Sequence, residues 1–320
     1  MDIKDDDMNN VNSAKRWETL DDFSLAVSSG PARLFANGGQ EVKVRVAIKA
    51  VDVNGDPVQL SSKEIDSLEL IDYHNAERVV QTTGAIFPRP PASKWRWSYK
   101  RNNSYRFFPT GQSSLSLNGE MSMTDLSINS STQYRDVYVR TTADAPLHLS
   151  ARIKRDDGVA FTAHFDSSVT LTPVTPPTYR AADYTFQPLA VENALDYRPF
   201  ALNVGGVNIE FIDFSMPSLV KHGAKGSLIP VVFTGYAAPG QTEIRYTHPI
   251  LIGPRQIKSG YVKKGQPIVA VSKPILARPD QLSAQRREAP IAAIDMYGNK
   301  HSINVRFKTV NDSDAELELY

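Results

Sequence analysis

The sequence predicts an all-β protein built as two consecutive β-sandwich domains. Three observations lead there. Val42, Val44, Val46 and Ile48 alternate with Lys43, Arg45, Ala47 and Lys49, the period-2 pattern of a half-buried strand. Short runs of this kind recur along the chain, separated by Gly, Asn and Asp turns, as in sandwiches and barrels. The segment Thr172-Pro-Val-Thr-Pro-Pro-Thr-Tyr-Arg-Ala181 places three prolines in five residues. Proline cannot donate to a sheet ladder, so this stretch reads as a stiff, extended linker. A chain of 320 residues fits two domains, each long enough to bury a core.

The elements follow in order. Residues 1–20 carry a run of Asp and no period, and read as a flexible acidic arm. The first domain spans 21–175. After the strand at 42–48, Asp52-Val-Asn-Gly-Asp-Pro57 reads as a turn into Val58 and Leu60. Ser61 to Leu70 can hold one helical turn capped by Ser62, and Leu68, Leu70 and Ile71 return to the sheet. Further strands are expected at Ser114–Leu117, Tyr134–Arg140, Leu147–Ile153, Ala160–Phe165 and Val169–Val174, with a hairpin turn at Arg155-Asp-Asp-Gly158. The linker is placed at 176–182. The second domain, 183–320, opens with a hairpin of Phe200–Val204 and Val207–Ile212 around Gly205-Gly206. It continues through strands at Ser227–Phe233, Glu243–Tyr246, Ile268–Val271, Ile291–Ile294 and Ser302–Lys308. Pro279 to Arg287 can form a short helix within a long loop, and Asn311–Tyr320 a last edge strand or an arm. Ala50-Val-Asp-Val-Asn-Gly-Asp and Ala293-Ile-Asp-Met-Tyr-Gly-Asn look alike and read as two similar hairpins.

Composition bounds the function. The net charge of +1 provides no global field for nucleic acid or an anionic membrane. The absence of cysteine removes disulfides, thiolate nucleophiles and Cys-based metal sites. The polar N-terminus has no apolar signal-peptide core, and no run reaches the ~18 apolar residues of a membrane-spanning helix. The expected history is synthesis as a soluble cytoplasmic chain, with any release by lysis or a non-classical route.

Glu41 to Val58 resembles the bacterial immunoglobulin-like domains of invasin-type surface proteins and phage virion proteins. An alternating strand there runs into an Asp-x-x-Gly-x-Pro-Val turn, here Asp52, Gly55, Pro57 and Val58. The resemblance implies an immunoglobulin-like sandwich used as spacer, adhesin or decoration. It implies no catalytic residues.

The most unusual segment lies within 84–111. It combines Phe87, Trp95, Trp97, Tyr99, Tyr105, Phe107 and Phe108 with Arg89, Lys94, Arg96, Lys100, Arg101 and Arg106, and Phe87 to Phe108 holds no acidic residue. It reads as an aromatic, basic hairpin inserted in the first domain, turning at Asn102-Asn103. Such a face can be core, since cross-strand aromatic pairs stabilise sheets. It can also be a protein interface, for which Trp, Tyr and Arg are favoured. A sugar-stacking platform, a membrane-facing hairpin and a single-strand nucleic-acid site are further readings, the last disfavoured by the net charge. The candidate binding residues are Trp95, Trp97, Tyr99, Tyr105, Phe107, Arg96, Arg101 and Arg106.

Other constellations carry less. His148, His164 and Asp166 can meet if their strands pair, but no two histidines have zincin spacing. Asp52-x-Asn54-x-Asp56 lacks the Gly and Glu positions of an EF-hand loop. Lys221 to Ser227 lacks the spacing of a phosphate loop, and no nucleophile elbow or dinucleotide fingerprint occurs. No catalytic residue, metal or cofactor is assigned. The expected function is that of a non-enzymatic structural or interaction protein that assembles with itself or a protein partner. A toxin or virulence protein using the aromatic hairpin on cells or membranes is the second reading, and a glycan-binding or glycan-acting protein the third.

Overall fold

The computed structural model describes residues 16–82, 94–109, 131–186, 188–192, 195–216, 221–222, 229–245, 255–273, 275–277, 288–310 and 315–320. The chain is nearly all β, with several largely antiparallel sheets. It divides into two compact units. The first comprises Met1–Ala36, Glu41–Asn102 and Phe107–Val174; the second comprises Asn37–Gln40, Asn103–Arg106 and Thr175–Tyr320.

In unit 1 one six-stranded sheet contains β1 (Thr19–Val27), β3 (Val42–Val51), β9 (Gln133–Thr141), β8 (Trp95–Ser98) and β7 (Gln81–Thr82) in that order, with β4 (Pro57–Val58) also on β3. The other contains β2 (Arg33–Phe35), β12 (Val169–Val174), β10 (Leu147–Lys154), β5 (Glu69–Asp72) and β6 (Asn75–Val79), with β11 (Ala160–Thr162) on β10. The β2–β12 and β7–β8 pairs are parallel. The inner residues of both sheets form a single core: Val42, Val44, Val46 and Ile48 from β3 and Val137 and Val139 from β9 pack in one cluster with Leu70 of β5 and Leu149, Ala151 and Ile153 of β10. The strict alternation along β3 is what allows this, because a shift of one residue would turn the whole apolar set outward.

Two expectations are corrected at the start of the chain. Residues 16–20 are not arm. Trp17 is buried and begins the anchored chain, and β1 follows from Thr19. The indole Nε1–H of Trp17 donates to Glu64 Oε1 at 2.6 Å. The Arg155 guanidinium donates to the carbonyls of Trp17 and Glu18 at 3.3 and 3.1 Å and lies over the Trp17 and Phe161 rings. Helix α1 (Ser62–Asp66) is capped by Ser61, not Ser62: the Ser61 hydroxyl accepts from Glu64 N, and the Glu64 carboxylate accepts from Ser61 N in return, a capping box. Glu64 thereby holds both the helix and the tryptophan.

Unit 2 contains β13 (Tyr184–Thr185), β16 (Ala201–Val204) and β17 (Val207–Ile209) as one three-stranded sheet. A six-stranded sheet runs β14 (Ala190–Glu192), β15 (Leu195–Pro199), β23 (Ile268–Ser272), β20 (Ile229–Ala237), β19 (Lys221–His222), with β24 (Ile275–Ala277) on β20. A four-stranded sheet runs β18 (Phe211–Ser215), β25 (Glu288–Asp295), β26 (Lys300–Val310), β27 (Ala315–Leu319), and β21 (Glu243–Ile244) pairs with β22 (Arg255–Gln256). Its main core gathers Phe200, Phe211, Phe214, Val232, Val269, Ile291 and Val305. A second cluster, including Leu195, Tyr197, Ile244, Ile257 and Ala270, lies on the opposite face of β15 and β23. The residues expected as a strand at 114–117 and as a helix at 279–287 lie outside the described residues.

The Glu64 contacts generate a stability prediction. Burial alone would raise its carboxyl, but the hydrogen bonds from Ser61, Trp17 and Asp156 hold it below the ordinary 4.5. A depressed folded-state value contributes stability that is present above the unfolded value and lost as pH falls through the folded one. Urea melts at pH 7 and pH 3.5 will therefore show a smaller acid-induced loss in Glu64→Gln than in the parent chain. Trp17→Ala, which also empties a buried indole site, will cost about 3–5 kcal/mol at pH 7.

Candidate functional site

The aromatic, basic segment does not form the expected hairpin. β8 pairs antiparallel with β9, whose sequence lies more than thirty residues further on, and the residues from Arg101 to Pro109 form no strand. Within β8 the alternation separates two roles. Trp95 and Trp97 point inward, 3% and 2% exposed, in the core of unit 1. The Trp97 indole Nε1–H donates to the Val80 carbonyl at 2.7 Å, which satisfies its polar atom in the dry interior. Arg96 points outward and is exposed. The core reading of the tryptophans therefore displaces the contact-face reading, and a membrane hairpin built on them loses its apolar face.

The remaining candidates scatter. Tyr99 is 37% exposed; its ring meets Trp97 edge-on at 4.8 Å and lies 4.3 Å below the Arg135 guanidinium. Arg101 lies 4.2 Å over the Phe107 ring. Tyr105 and Arg106 belong to unit 2. The Tyr105 ring sits between two glycines: a Cβ at Gly39 or at Gly298 would come within 3.1 and 3.2 Å of it. Arg106 donates from its backbone to the Met296 carbonyl at 2.7 Å and from Nη2 to Glu210 Oε2 at 2.9 Å. Both residues serve internal docking rather than a binding face.

They dock onto the turn that joins β25 to β26, and this turn explains the sequence likeness noted above. In the β3–β4 turn, Asp52 Oδ1 accepts the backbone N–H of Asn54 and Asp56 at 2.9 and 3.0 Å, and Gly55 takes φ +85°. In the β25–β26 turn, Asp295 Oδ1 accepts the N–H of Tyr297 and Asn299 at 2.8 and 2.9 Å, and Gly298 takes φ +84°. In both, the Asp amide bonds the carbonyl four residues on. An Asp first and a Gly fourth suit this geometry, because the short side-chain oxygen reaches both amides and Gly adopts the left-handed conformation without strain.

Around the second turn lies a polar cluster that sequence spacing does not reveal. Asp295 is fully buried, and its Oδ2 accepts from Asn299 Nδ2 at 3.1 Å. His301 Nε2 stands 3.2 Å from the same oxygen, without hydrogen-bond alignment, and its Nδ1 lies 2.9 Å from the Tyr184 hydroxyl. The imidazole stacks on Tyr179 and meets Phe211 and Tyr184 edge-on. Burial, reinforced by Asp295, pushes the Tyr179 phenol up to about 12, and burial with the neighbouring Tyr179 does the same for Tyr184. Asn37 completes the arrangement, donating to the Tyr297 carbonyl and to Asn299 Oδ1 at 3.0 and 2.8 Å. Asp295, Asn299 and His301 are buried, and the turn amides and Asn299 compensate the carboxylate that folding has desolvated, whereas His301 Nε2 has no hydrogen-bond partner among the described residues.

The histidine pair expected with Asp166 does not converge. His148 Nε2 lies 2.6 Å from Ser168 Oγ and its ring neighbours Tyr73 and His74, whereas His164 is exposed. Among the described residues no three His, Asp or Glu side chains are grouped to hold a metal, and no helix is long and apolar enough to cross a membrane.

No family model and no curated protein matches the chain. Among solved structures it is similar to one described as the Yersinia pseudotuberculosis adhesin InvE, at 12% identity and a TM-score of 0.25. The match covers 93% of this chain and 61% of that one. The resemblance is weak, and this chain spans less than two thirds of the adhesin's length.

The two matched turns give a controlled comparison. At Gly55 an added Cβ meets nothing, so Gly55→Ala will show the left-handed backbone penalty alone, about 1–2 kcal/mol in a urea melt. At Gly298 the same penalty is joined by overpacking against Tyr105, roughly 1–3 kcal/mol more. In a Tyr105→Ala background the excess at Gly298 should vanish, measured as a double-mutant cycle.

Proposed function

We propose that this chain is a non-enzymatic interaction protein that assembles with itself or with a protein partner through the faces of its sheets, unit 1 serving as an immunoglobulin-like sandwich. The observation that carries this reading is the outer face of the sheet containing β3, β9 and β8. Tyr134 is 41% exposed there, with the Arg45 guanidinium 5.7 Å from its ring centre. Lys43 and Arg45 share the Asp136 carboxylate at 3.0 and 2.7 Å. Tyr and Arg are the residues that most often dominate interface energies. Strand backbone and ion pairing already fix them, so little ordering entropy remains to be lost on contact. The burial of Asp295, His301 and Tyr184 supports the same reading, since these titratable side chains contact one another inside the fold.

Light scattering on the purified chain across a concentration series tests it. A mass at a multiple of 35.4 kDa that falls towards the monomer in Tyr134→Ser is the expected result, with roughly tenfold weaker association if Tyr134 contributes about 1.4 kcal/mol. A monomer at every concentration removes self-assembly and leaves a separate protein partner. Tryptophan emission serves only as a folding control here, because all three tryptophans are buried in unit 1.

A further inference from the structure

The segment that carries the aromatic core residues also carries cations on its other face. Lys94, Arg96 and Lys100 are all exposed; Arg96 lies on the outward face of β8, Lys94 immediately before the strand and Lys100 two residues after it. Arg96 faces Arg140 directly across the β8–β9 ladder. Side chains opposite one another in such a pair have Cβ atoms about 5 Å apart, and like charges there are destabilising. On the adjoining strand Lys43 and Arg45 extend the patch, joined to each other through Asp136. Among the described residues Asp144, 3.9 Å from Lys94, and Glu41, whose carboxyl feels Arg140 and Arg101, also lie near it. Six cations (Lys43, Arg45, Lys94, Arg96, Lys100, Arg140) thus face three anions on a chain whose net charge is +1. Among the described residues Arg96 and Lys100 have no carboxylate partner.

From this we infer that the β8 edge of the outer face binds an extended acidic polypeptide segment, an inference that rests on the interaction-protein reading above. The spacing selects the partner. Side chains on one face of an extended peptide recur about every 6.6–7 Å, the same repeat that separates Lys94 from Arg96 and positions an Asp or Glu at alternate residues opposite each cation. The guanidinium of Arg96 can grip a carboxylate through two parallel N–H donors. Hydrogen bonds fix the backbone at both ends of the strand: the Lys94 carbonyl accepts from Thr141 Oγ1 and Thr142 N, and the Ser98 hydroxyl donates to the Lys100 carbonyl.

The test is fluorescence anisotropy of a labelled peptide of alternating Glu and Ser, titrated with the full chain at 20 and 300 mM NaCl. Binding that weakens at high salt, and that is at least tenfold weaker in the double variant Arg96→Ser/Lys100→Ser, supports the inference. Thermal melts should place the same double variant close to the parent Tm, because both side chains are exposed, so loss of binding cannot be ascribed to unfolding. No binding to the parent chain, or equal binding to the double variant, overturns it. Tighter binding of a sulfated oligosaccharide or of anionic phospholipid vesicles than of the peptide also overturns it, because the repeat would then not be that of a polypeptide. A chain that fails with the peptide yet still associates in light scattering loses only the acidic-segment assignment and keeps the interaction-protein reading.

Discussion

A buried carboxylate at the head of a hairpin is the constraint from which much of unit 2 follows. Asp295 is removed from water, so its charge must be met by donors, and the β25–β26 turn meets it with two backbone amides and the Asn299 side chain. That requirement fixes the turn at five residues and obliges Gly298 to take the left-handed conformation. Once the turn is fixed, its flat glycine edge can accept the Tyr105 ring, its Tyr297 carbonyl and Asn299 amide can meet Asn37, and His301 falls beside Asp295 at the start of β26. Unit 2 therefore incorporates two short segments from early in the chain, 37–40 and 103–106, through contacts that one turn organises.

Unit 1 solves a related problem at its beginning. The first described residues lead into β1, the outermost strand of its sheet. Trp17 anchors this entry by burying an indole whose N–H is answered by Glu64, while Arg155 closes the carbonyls of Trp17 and Glu18. Glu64 is at once the N3 residue of a capping box and the acceptor for the indole, so a five-residue helix, too short to persist alone, is stabilised by the same carboxylate that retains the chain's entry.

How much of this the sequence exposes depends on the range of the interactions. β3 is legible because its period is intact over eight residues and its turn chemistry is local. β12 is legible to the residue. β1 is not, because the polar, aperiodic residues up to Leu20 read as arm, and Asp21 and Asp22 interrupt the period at a bulge between Leu20 and Asp22. Phe23, Leu25 and Val27 were the available signal. The aromatic segment misleads for a different reason. A local reading pairs Trp95–Ser98 with Tyr105–Phe108 across Asn102-Asn103, the nearest strand-like run, whereas the actual neighbour is β9. Nothing local distinguishes the two, since both pairings give an aromatic face. The Asp295–His301–Tyr184 cluster joins residues over a hundred positions apart, and its histidine has no motif spacing to betray it. The similarity of the two Asp-x-x-Gly segments, by contrast, is a direct statement of shared hydrogen bonding.

The same geometry bears on how a chain of this kind can make contacts. Two of the longer strands end their sheets at an edge, β1 beside β3 and β27 beside β26. Unpaired edges invite sheet-to-sheet association unless they are blunted. Both carry the standard blunting devices. β1 has its bulge and the acidic pair Asp21–Asp22; β27 has a register shift between Phe307 and Thr309 and projects Glu316 and Glu318, each answered by a cation on β26. Two copies joined antiparallel along β27 would oppose glutamate to glutamate, which costs rather than gains. Edge pairing is thus disfavoured at both β1 and β27. The outer face of β3, β9 and β8, by contrast, presents exposed Tyr134 and Arg96 on paired strands, so on the reading proposed above association would draw on that face.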